Sequence, residues 1–339
     1  MKKIGLILLL ALLLTGCTPR AAAKKQYTAT FLSLFDTVTT VVGSAQSKEA
    51  FESTVQPIRE ELEHYHKLFD IYNDYEGINN LKTVNDKAGI APVKVDRQIL
   101  QLLADSIRYY EQTGGVFNPA MGSVLALWHE ARENGRDDPA NAALPDAEAL
   151  SAAAAHTDPN DIVLDFENAT VYFKDPDLKL DVGAIAKGWA VQRVCEKAPQ
   201  GLLISVGGNV CATGPKDAGG TPWTIGIQNP DGSSDYLHIL NIQRGCVVTS
   251  GSYQRNYAVN GKLYHHIIDP ATLYPGELWS SVSVVCEDSA LADALSTALF
   301  LLDRQAGEQF LKQFDARAMW VDPQGNKYYS AEFQNLIRN

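Results

Sequence analysis

Six short runs of β-branched and apolar residues follow one another between Leu202 and Cys286, with no helical stretch among them. They are Leu202–Val206, Trp223–Gln228, Leu237–Ile242, Cys246–Thr249, Tyr257–Val259 and Ser281–Cys286. Each reads as a strand. Helical spacing returns on either side, at Ala184–Lys197 and at Ala290–Leu302. Strands and helices thus mix without a regular βαβ alternation. That pattern selects the α+β class over a doubly wound sheet.

The first half is richer in helix. Tyr27–Val42 reads as a strand or hairpin edge. Ser47–Phe69 reads as a helix, because Phe51, Val55, Ile58, Leu62 and Tyr65 recur at helical spacing. Pro57 is expected to kink or restart it. Asp96–Thr113 is a second helix, stopped by Gly114-Gly115, and Ala120–Ala131 a third. Arg132–Pro159 reads as a loop leading to a short helix around Pro145–Ala155. Ile162–Leu164 and Thr170–Phe173 form a hairpin, Leu178–Asp181 a short strand, and the tail a final strand and helix. No internal repeat stands out.

The N-terminus reads as an address. Lys2 and Lys3 precede the apolar run Ile4–Leu14, which is too short to span a bilayer comfortably. Leu14-Thr15-Gly16-Cys17 then resembles a lipobox, whose cysteine carries lipid. An ordinary cleaved signal peptide is the plainer alternative. The expected organisation is a lipoprotein signal peptide with lipidated Cys17 (residues 1–17), a tether (18–26) and one domain (27–339). Such a chain sits outside the cytoplasm, lipid-anchored to a bacterial membrane; two or more acyl chains make that anchor stable. The net charge of −11 argues against nonspecific binding to nucleic acid or anionic lipid. Cys195, Cys211, Cys246 and Cys286 form no CxxC pair, so buried free thiols are the expectation, although an exported chain could form disulfides.

Several stretches could carry chemistry. In Leu180-Asp181-Val182-Gly183-Ala184-Ile185-Ala186-Lys187-Gly188 a carboxylate ends a strand, glycine opens a turn and a helix begins. Free N–H groups at a helix start suit phosphate oxygens, and Lys187 adds a cation one turn in. A plain strand-to-helix turn accounts for the same residues. Asp293 and Thr297 share one face of an otherwise apolar helix. If buried, they need partners, and a hard cation with oxygen ligands is one solution. Solvent exposure, or a bond from Thr297 to a carbonyl, is another. Thr249–Tyr257 and Tyr264–Thr272 are dense in polar groups, and His266 with Asp269 could form an oriented base. Gly207-Gly208-Asn209 permits a tight turn or a close ligand approach. Phe117-Asn118-Pro119-Ala120-Met121-Gly122, before Trp128, could wall a flat ring or simply fill the core.

Taken in order, these stretches resemble the ApbE-type flavin transferases. The likeness runs through Phe35-Asp36-Thr37, Phe117–Gly122 with Trp128, Leu180–Ala190, Ser205–Gly208, Thr249–Tyr253, His266–Pro270, and Ala292-Asp293 with Thr297. It covers about residues 30 to 305. The resemblance implies an ApbE-like mixed fold with antiparallel-rich sheets and packed helices. It implies Mg²⁺ held by the side chains of Asp293 and Thr297 and the backbone carbonyl of Ala184. It implies FAD contacts from Phe35, Phe117, Asn118, Asp181, Lys187, Gly207 and Gly208, and His266 as catalytic base. The implied reaction moves FMN from FAD to a threonine or serine of an extracytoplasmic flavin-acceptor protein and releases AMP. Many relatives carry Asp in place of Asn118 and Gly in place of Leu273. Two other outcomes fit the same residues: hydrolysis of FAD to FMN and AMP, or flavin binding without turnover.

Overall fold

The computed structural model describes residues 24–338. The signal peptide, Cys17 and most of the tether lie outside them. The strands are β1 (Lys25–Leu34), β2 (Thr37–Ala45), β3 (Val93–Lys94), β4 (Ile162–Asp165), β5 (Thr170–Phe173), β6 (Leu202–Val206), β7 (Asn209–Ala212), β8 (Trp223–Gln228), β9 (Tyr236–Ile242), β10 (Gly245–Gly251), β11 (Asn256–Val259), β12 (Lys262–His265), β13 (Ser281–Cys286), β14 (Arg317–Val321) and β15 (Lys327–Tyr329). The helices are α1 (Lys48–Phe69), α2 (Leu81–Asp86), α3 (Arg97–Gln112), α4 (Gly122–Asp137), α5 (Ala147–Ala154), α6 (Ala186–Lys197), α7 (Ser289–Leu301) and α8 (Arg304–Leu311). β1 already includes Lys25 and Gln26, so the domain begins two residues earlier than expected.

Eight strands form one sheet in the order β1-β2-β6-β7-β10-β13-β14-β15. Every neighbouring pair in it is antiparallel. The fold is therefore α+β, as the lack of a regular βαβ alternation favoured. Helices α1, α6 and α7 cover one face and bury the main core, with Leu62, Tyr65, Trp189, Leu295 and Phe300 at its centre. The hairpin β8–β9 covers the other face. In β8, Trp223, Ile225 and Ile227 point inward while Thr224, Gly226 and Gln228 face out, the two-residue period of a half-buried strand. A third cluster joins α4, α5 and β11 through Trp128, Leu150 and Tyr257.

Several expectations change. α1 is continuous through Pro57, which lies on the exposed side. A helix packed on one face tolerates a lost solvent-side bond, because burial of Phe51, Val55, Ile58 and Leu62 holds it. α4 extends to Asp137, so Arg132 is helical and not the start of a loop. Leu178–Asp181 is not a strand; it makes a single bridge from Lys179 to Met121. The tail places a helix and two strands before a short closing 3-10 helix at Phe333–Leu336. β7 and β12 were not marked in the sequence, because Asn209 was read with the Gly207-Gly208 turn and Tyr264-His265 with a polar stretch.

Cys211 and Cys246 are joined by a disulfide, against the expectation of free thiols. They face each other directly on β7 and β10, a neighbour relation that the sequence separation of 35 hides. Cys195 and Cys286 are free.

Candidate active site

A cleft of about 310 Å³ lies where the main core meets the α4–β11 cluster. Its walls bring together Phe35, Phe117, Asn118, Asp181, Ala184, Lys187, Gly207, His266, Asp293 and Thr297. Stretches more than 250 residues apart in sequence (Phe35 to Thr297) thus meet in one place. Gly208 does not line the cleft. With Gly207 it makes the two-residue turn between β6 and β7, both at positive φ, and only Gly207 faces inward.

The floor is built where α6 meets α7. Asp293 is 4% exposed in the apolar middle of α7. Its Oδ2 accepts the Gly188 N–H at 2.8 Å. Gly188 is the third residue of α6, so its N–H has no acceptor within the helix and takes the carboxylate instead. The Ala184 carbonyl lies just before the helix N-cap, Ile185, and accepts no backbone hydrogen bond. Thr297 stands one turn along α7, and its hydroxyl makes no bond back to the helix, whereas its neighbour Ser296 bonds the Asp293 carbonyl at 2.9 Å. Burial pushes the Asp293 carboxyl up from its ordinary range; Lys187, the Gly188 N–H and Asn209 partly offset this. One carboxylate oxygen, one unbonded carbonyl and one hydroxyl are hard oxygen ligands of the kind Mg²⁺ takes. The residues present fit that ion.

The helix start faces the same cleft. Asp181 Oδ1 caps the turn by accepting from the Gly183 N–H at 2.7 Å, and Lys187 Nζ reaches the Gly183 carbonyl at 3.2 Å. Gly188 is the tight point: a Cβ there would come within 2.3 Å of the Ser289 carbonyl oxygen and 2.5 Å of the Asp293 Cβ. Only glycine lets the two helices approach closely enough for the Gly188–Asp293 bond.

His266 faces the cleft from the segment after β12. Its pKa is pushed down to about 3, chiefly by burial, then by Arg255, His265, Lys187 and Arg132. Its Nδ1 is buried without a partner, so proton exchange with a ligand runs through Nε2. The expected pairing with Asp269 is absent: Asp269 Oδ1 instead accepts from the Ala271 N–H at 2.8 Å. The stretch is extended and turned there, so a separation of three residues does not bring the side chains together. His265 is the structural histidine of the pair, bonding the Gly276 carbonyl at 2.7 Å and accepting the Ile267 N–H at 3.2 Å.

Asn118 lines the wall, yet its amide is occupied by protein. Nδ2 donates to the Thr157 carbonyl at 2.9 Å and Oδ1 accepts the Ala120 N–H at 2.8 Å. Phe35 sits at the tip of the β1–β2 hairpin at φ 54°, and its N–H donates to His66 Nδ1 at 3.2 Å.

The family model described as the ApbE family matches residues 35–320, and that span contains every one of these cleft residues. The chain belongs to the ApbE family. A FAD:protein FMN transferase of Treponema pallidum (strain Nichols) is 34% identical over 277 residues, covering 76% of this chain and 75% of the relative. A FAD:protein FMN transferase of Klebsiella pneumoniae (strain 342) is also 34% identical, over 258 residues, with coverages of 73% and 77%. Among solved structures, the ApbE protein of Thermotoga maritima superposes with a TM-score of 0.82 at 29% identity, over 93% of this chain and 100% of that one.

The ApbE cleft contains groups that sequence reading missed. Tyr72, His129, Arg132 and Arg255 also line it. Arg132 bonds His129 Nδ1 at 2.7 Å, and His129 packs on Tyr72 with ring centres 5.0 Å apart. Arg132 was hidden by the misplaced end of α4. Arg255 lies within a stretch already marked as polar, but nothing in that stretch separates it from Gln254 or Asn256. In an acidic chain, cations gathered in one cleft point to an anionic ligand.

Proposed function

We propose that this chain is a Mg²⁺-dependent FAD:protein FMN transferase that works outside the cytoplasm, held to a bacterial membrane by lipid on Cys17. The reading is carried by one observation: a buried carboxylate, an unbonded carbonyl and a free hydroxyl meet Lys187 and His266 in a single cleft. Membership of a family whose curated relatives are named for this reaction supports it. The lipid anchor and the address rest on residues 1–17 and on the order of charge, apolar run and small residues there.

Asp293, Thr297 and the Ala184 carbonyl would hold the cation. A bound Mg²⁺ supplies positive charge to the diphosphate as the phosphoanhydride breaks. Lys187 holds phosphate oxygens from the protein side. Phe35 offers apolar surface to a flat ring of FAD, and Phe117, buried in the core, backs the cleft wall.

His266 acts on the acceptor hydroxyl. It is neutral at pH 7 and can take a proton, but with a pKa near 3 it is a weak base on its own. The cations Arg255, Lys187 and Arg132 contribute to that depression. An anionic diphosphate beside them offsets their field and raises the histidine towards the working range. Substrate binding therefore activates the base. The hydroxyl of a threonine or serine gives its proton to Nε2, its oxygen attacks the FMN phosphorus, and the bond to the AMP phosphate breaks. FMN ends in phosphoester linkage and AMP leaves.

The test is incubation of the chain with FAD, Mg²⁺ and an acceptor protein from the same organism, followed by mass measurement of the acceptor. Covalent FMN that disappears with EDTA supports the reading. Free FMN and AMP with unmodified acceptor replaces it with hydrolysis, and intact FAD throughout leaves a binding protein.

A further inference from the structure

His129 lies on α4 and lines the cleft. Two neighbours fix its ring. It packs on Tyr72 with ring centres 5.0 Å apart and planes inclined at 31°. Arg132, one turn along the helix, brings a terminal guanidinium nitrogen to 2.7 Å from His129 Nδ1. A guanidinium has donors only and stays charged, so Nδ1 must accept. The imidazole is therefore neutral, and its one proton sits on Nε2. Burial, and then the charge of Arg132, hold its pKa below the ordinary histidine value, which keeps this state at neutral pH. Arg132 is itself held: its Nε donates to Glu133 at 3.2 Å, and its side chain is only 13% exposed. The outcome is a ring whose remaining polar atom has one function. Nε2–H meets no acceptor among the described residues, and protein does not enclose it, so it is open to what fills the cleft. Tyr72 beside it is 54% exposed. The pair thus offers aromatic surface with a single N–H donor, a combination that suits a flat heteroaromatic ring with acceptor atoms on its rim. The diphosphate has other partners in Lys187 and the α6–α7 floor.

We propose that His129 is a specificity-determining residue of the cleft, whose Nε2–H donates to a ring nitrogen or carbonyl oxygen on the rim of one of the nucleotide's ring systems, flavin or adenine. Arg132 is the positioning residue that fixes its tautomer. The assignment rests on the FAD reading above. With the proton on Nδ1 instead, the same ring would present an acceptor and turn that rim away.

The test has two arms, and the first needs no ligand. Nitrogen NMR of the histidine rings in the full chain at neutral pH should show His129 as the Nε2–H tautomer alone. In Arg132→Met the same ring should become a mixture of tautomers. A proton on Nδ1 in the wild type, or a single unchanged tautomer in Arg132→Met, overturns the assignment whether or not the chain binds FAD. The second arm compares the wild type with His129→Phe, which keeps a ring against Tyr72 and removes the donor. Calorimetric titration in Mg²⁺ uses FAD, riboflavin, ADP and inorganic pyrophosphate as probes. FAD is expected to weaken about fivefold, the scale of one hydrogen bond between neutral groups. Weakening of riboflavin with ADP unchanged assigns the flavin rim. Weakening of ADP with riboflavin and pyrophosphate unchanged assigns the adenine rim. An FAD affinity equal to that of the wild type overturns the assignment. So does weakening shared by pyrophosphate, which makes the contact one to phosphate, and so does equal weakening of riboflavin and ADP, which makes His129 a packing residue of the wall. A wild-type chain that binds none of the four overturns the FAD reading and this assignment together; the tautomer result overturns the assignment alone.

Discussion

The Gly188 N–H donates to Asp293 Oδ2 at 2.8 Å, and that bond does two things at once. It satisfies one oxygen of a buried carboxylate on α7. It also satisfies an N–H of the first turn of α6 that has no acceptor within its own helix. The carboxylate on α7 and the Ala184 carbonyl, in the turn before α6, line the same cleft.

Gly188→Ala should break this arrangement. The added Cβ meets the Ser289 carbonyl and the Asp293 Cβ, both backbone-anchored, so α6 and α7 must separate. Overpacking of this kind costs about 1–3 kcal/mol. Urea denaturation should show that loss, and Mg²⁺ titration should show weaker binding than in the wild type.

Asp293→Asn should separate stability from function. Burial raises the pKa of this carboxyl, so at neutral pH the ionised group opposes folding, and the penalty fades as pH falls. An asparagine oxygen can still accept from Gly188 without carrying charge. In EDTA the variant should therefore melt higher than the wild type, by the equivalent of about 1 kcal/mol or more. With Mg²⁺ added, the wild type should gain stability and the variant should not. A variant that melts lower in EDTA contradicts the account of Asp293.

His266 gives the opposite sign on the acid side. Its pKa in the fold, about 3, lies below the ordinary value of 6.5. As pH falls through about 6.5 the unfolded chain takes up this proton first, so stability is lost on acidification and is fully present above that pH. His266→Gln should flatten the fall in stability between about pH 6.5 and about pH 4, below which carboxylates dominate. The variant should keep its affinity for FAD and transfer slowly. Loss of FAD binding instead would make His266 a substrate contact and not the base.

Much of the fold was open to reading because its strongest signals are local. Helices α1, α3, α6 and α7 each carry an apolar face or a stop signal, and the strands of the second half carry β-branched runs. Pairings were not open to reading. Cys211 and Cys246 look like two small apolar residues in separate runs, and only the register of β7 on β10 makes them partners. The site divides in the same way. Asp293, Thr297 and Lys187 could be marked as polar groups in apolar helices, but Arg132 and Arg255 are ordinary surface-type residues until the fold turns them inward. Leu273 shows the converse. It departs from the glycine expected there, and the fold confirms why glycine suits the place: its φ is 63°, and its carbonyl must accept the Trp128 indole N–H at 2.9 Å.

The disulfide carries its own prediction. Residues 24–338 contain four cysteines, and two of them are bridged. Thiol alkylation of the unfolded, unreduced domain should label Cys195 and Cys286 only, and reduction should add Cys211 and Cys246. Cross-links of this loop size contribute about 2–4 kcal/mol, so the reduced protein should unfold at lower urea. Four labelled thiols before reduction would return these residues to the free state first expected from sequence.

The most direct test of the central claim is the mass of an acceptor protein after incubation with the chain, FAD and Mg²⁺, run in parallel with Asp293→Ala. The account predicts an increase equal to FMN less water with the wild-type chain, abolished by EDTA and absent with the variant. An acceptor that gains FMN equally well with Asp293→Ala, or in EDTA, would contradict the role given to the α6–α7 floor.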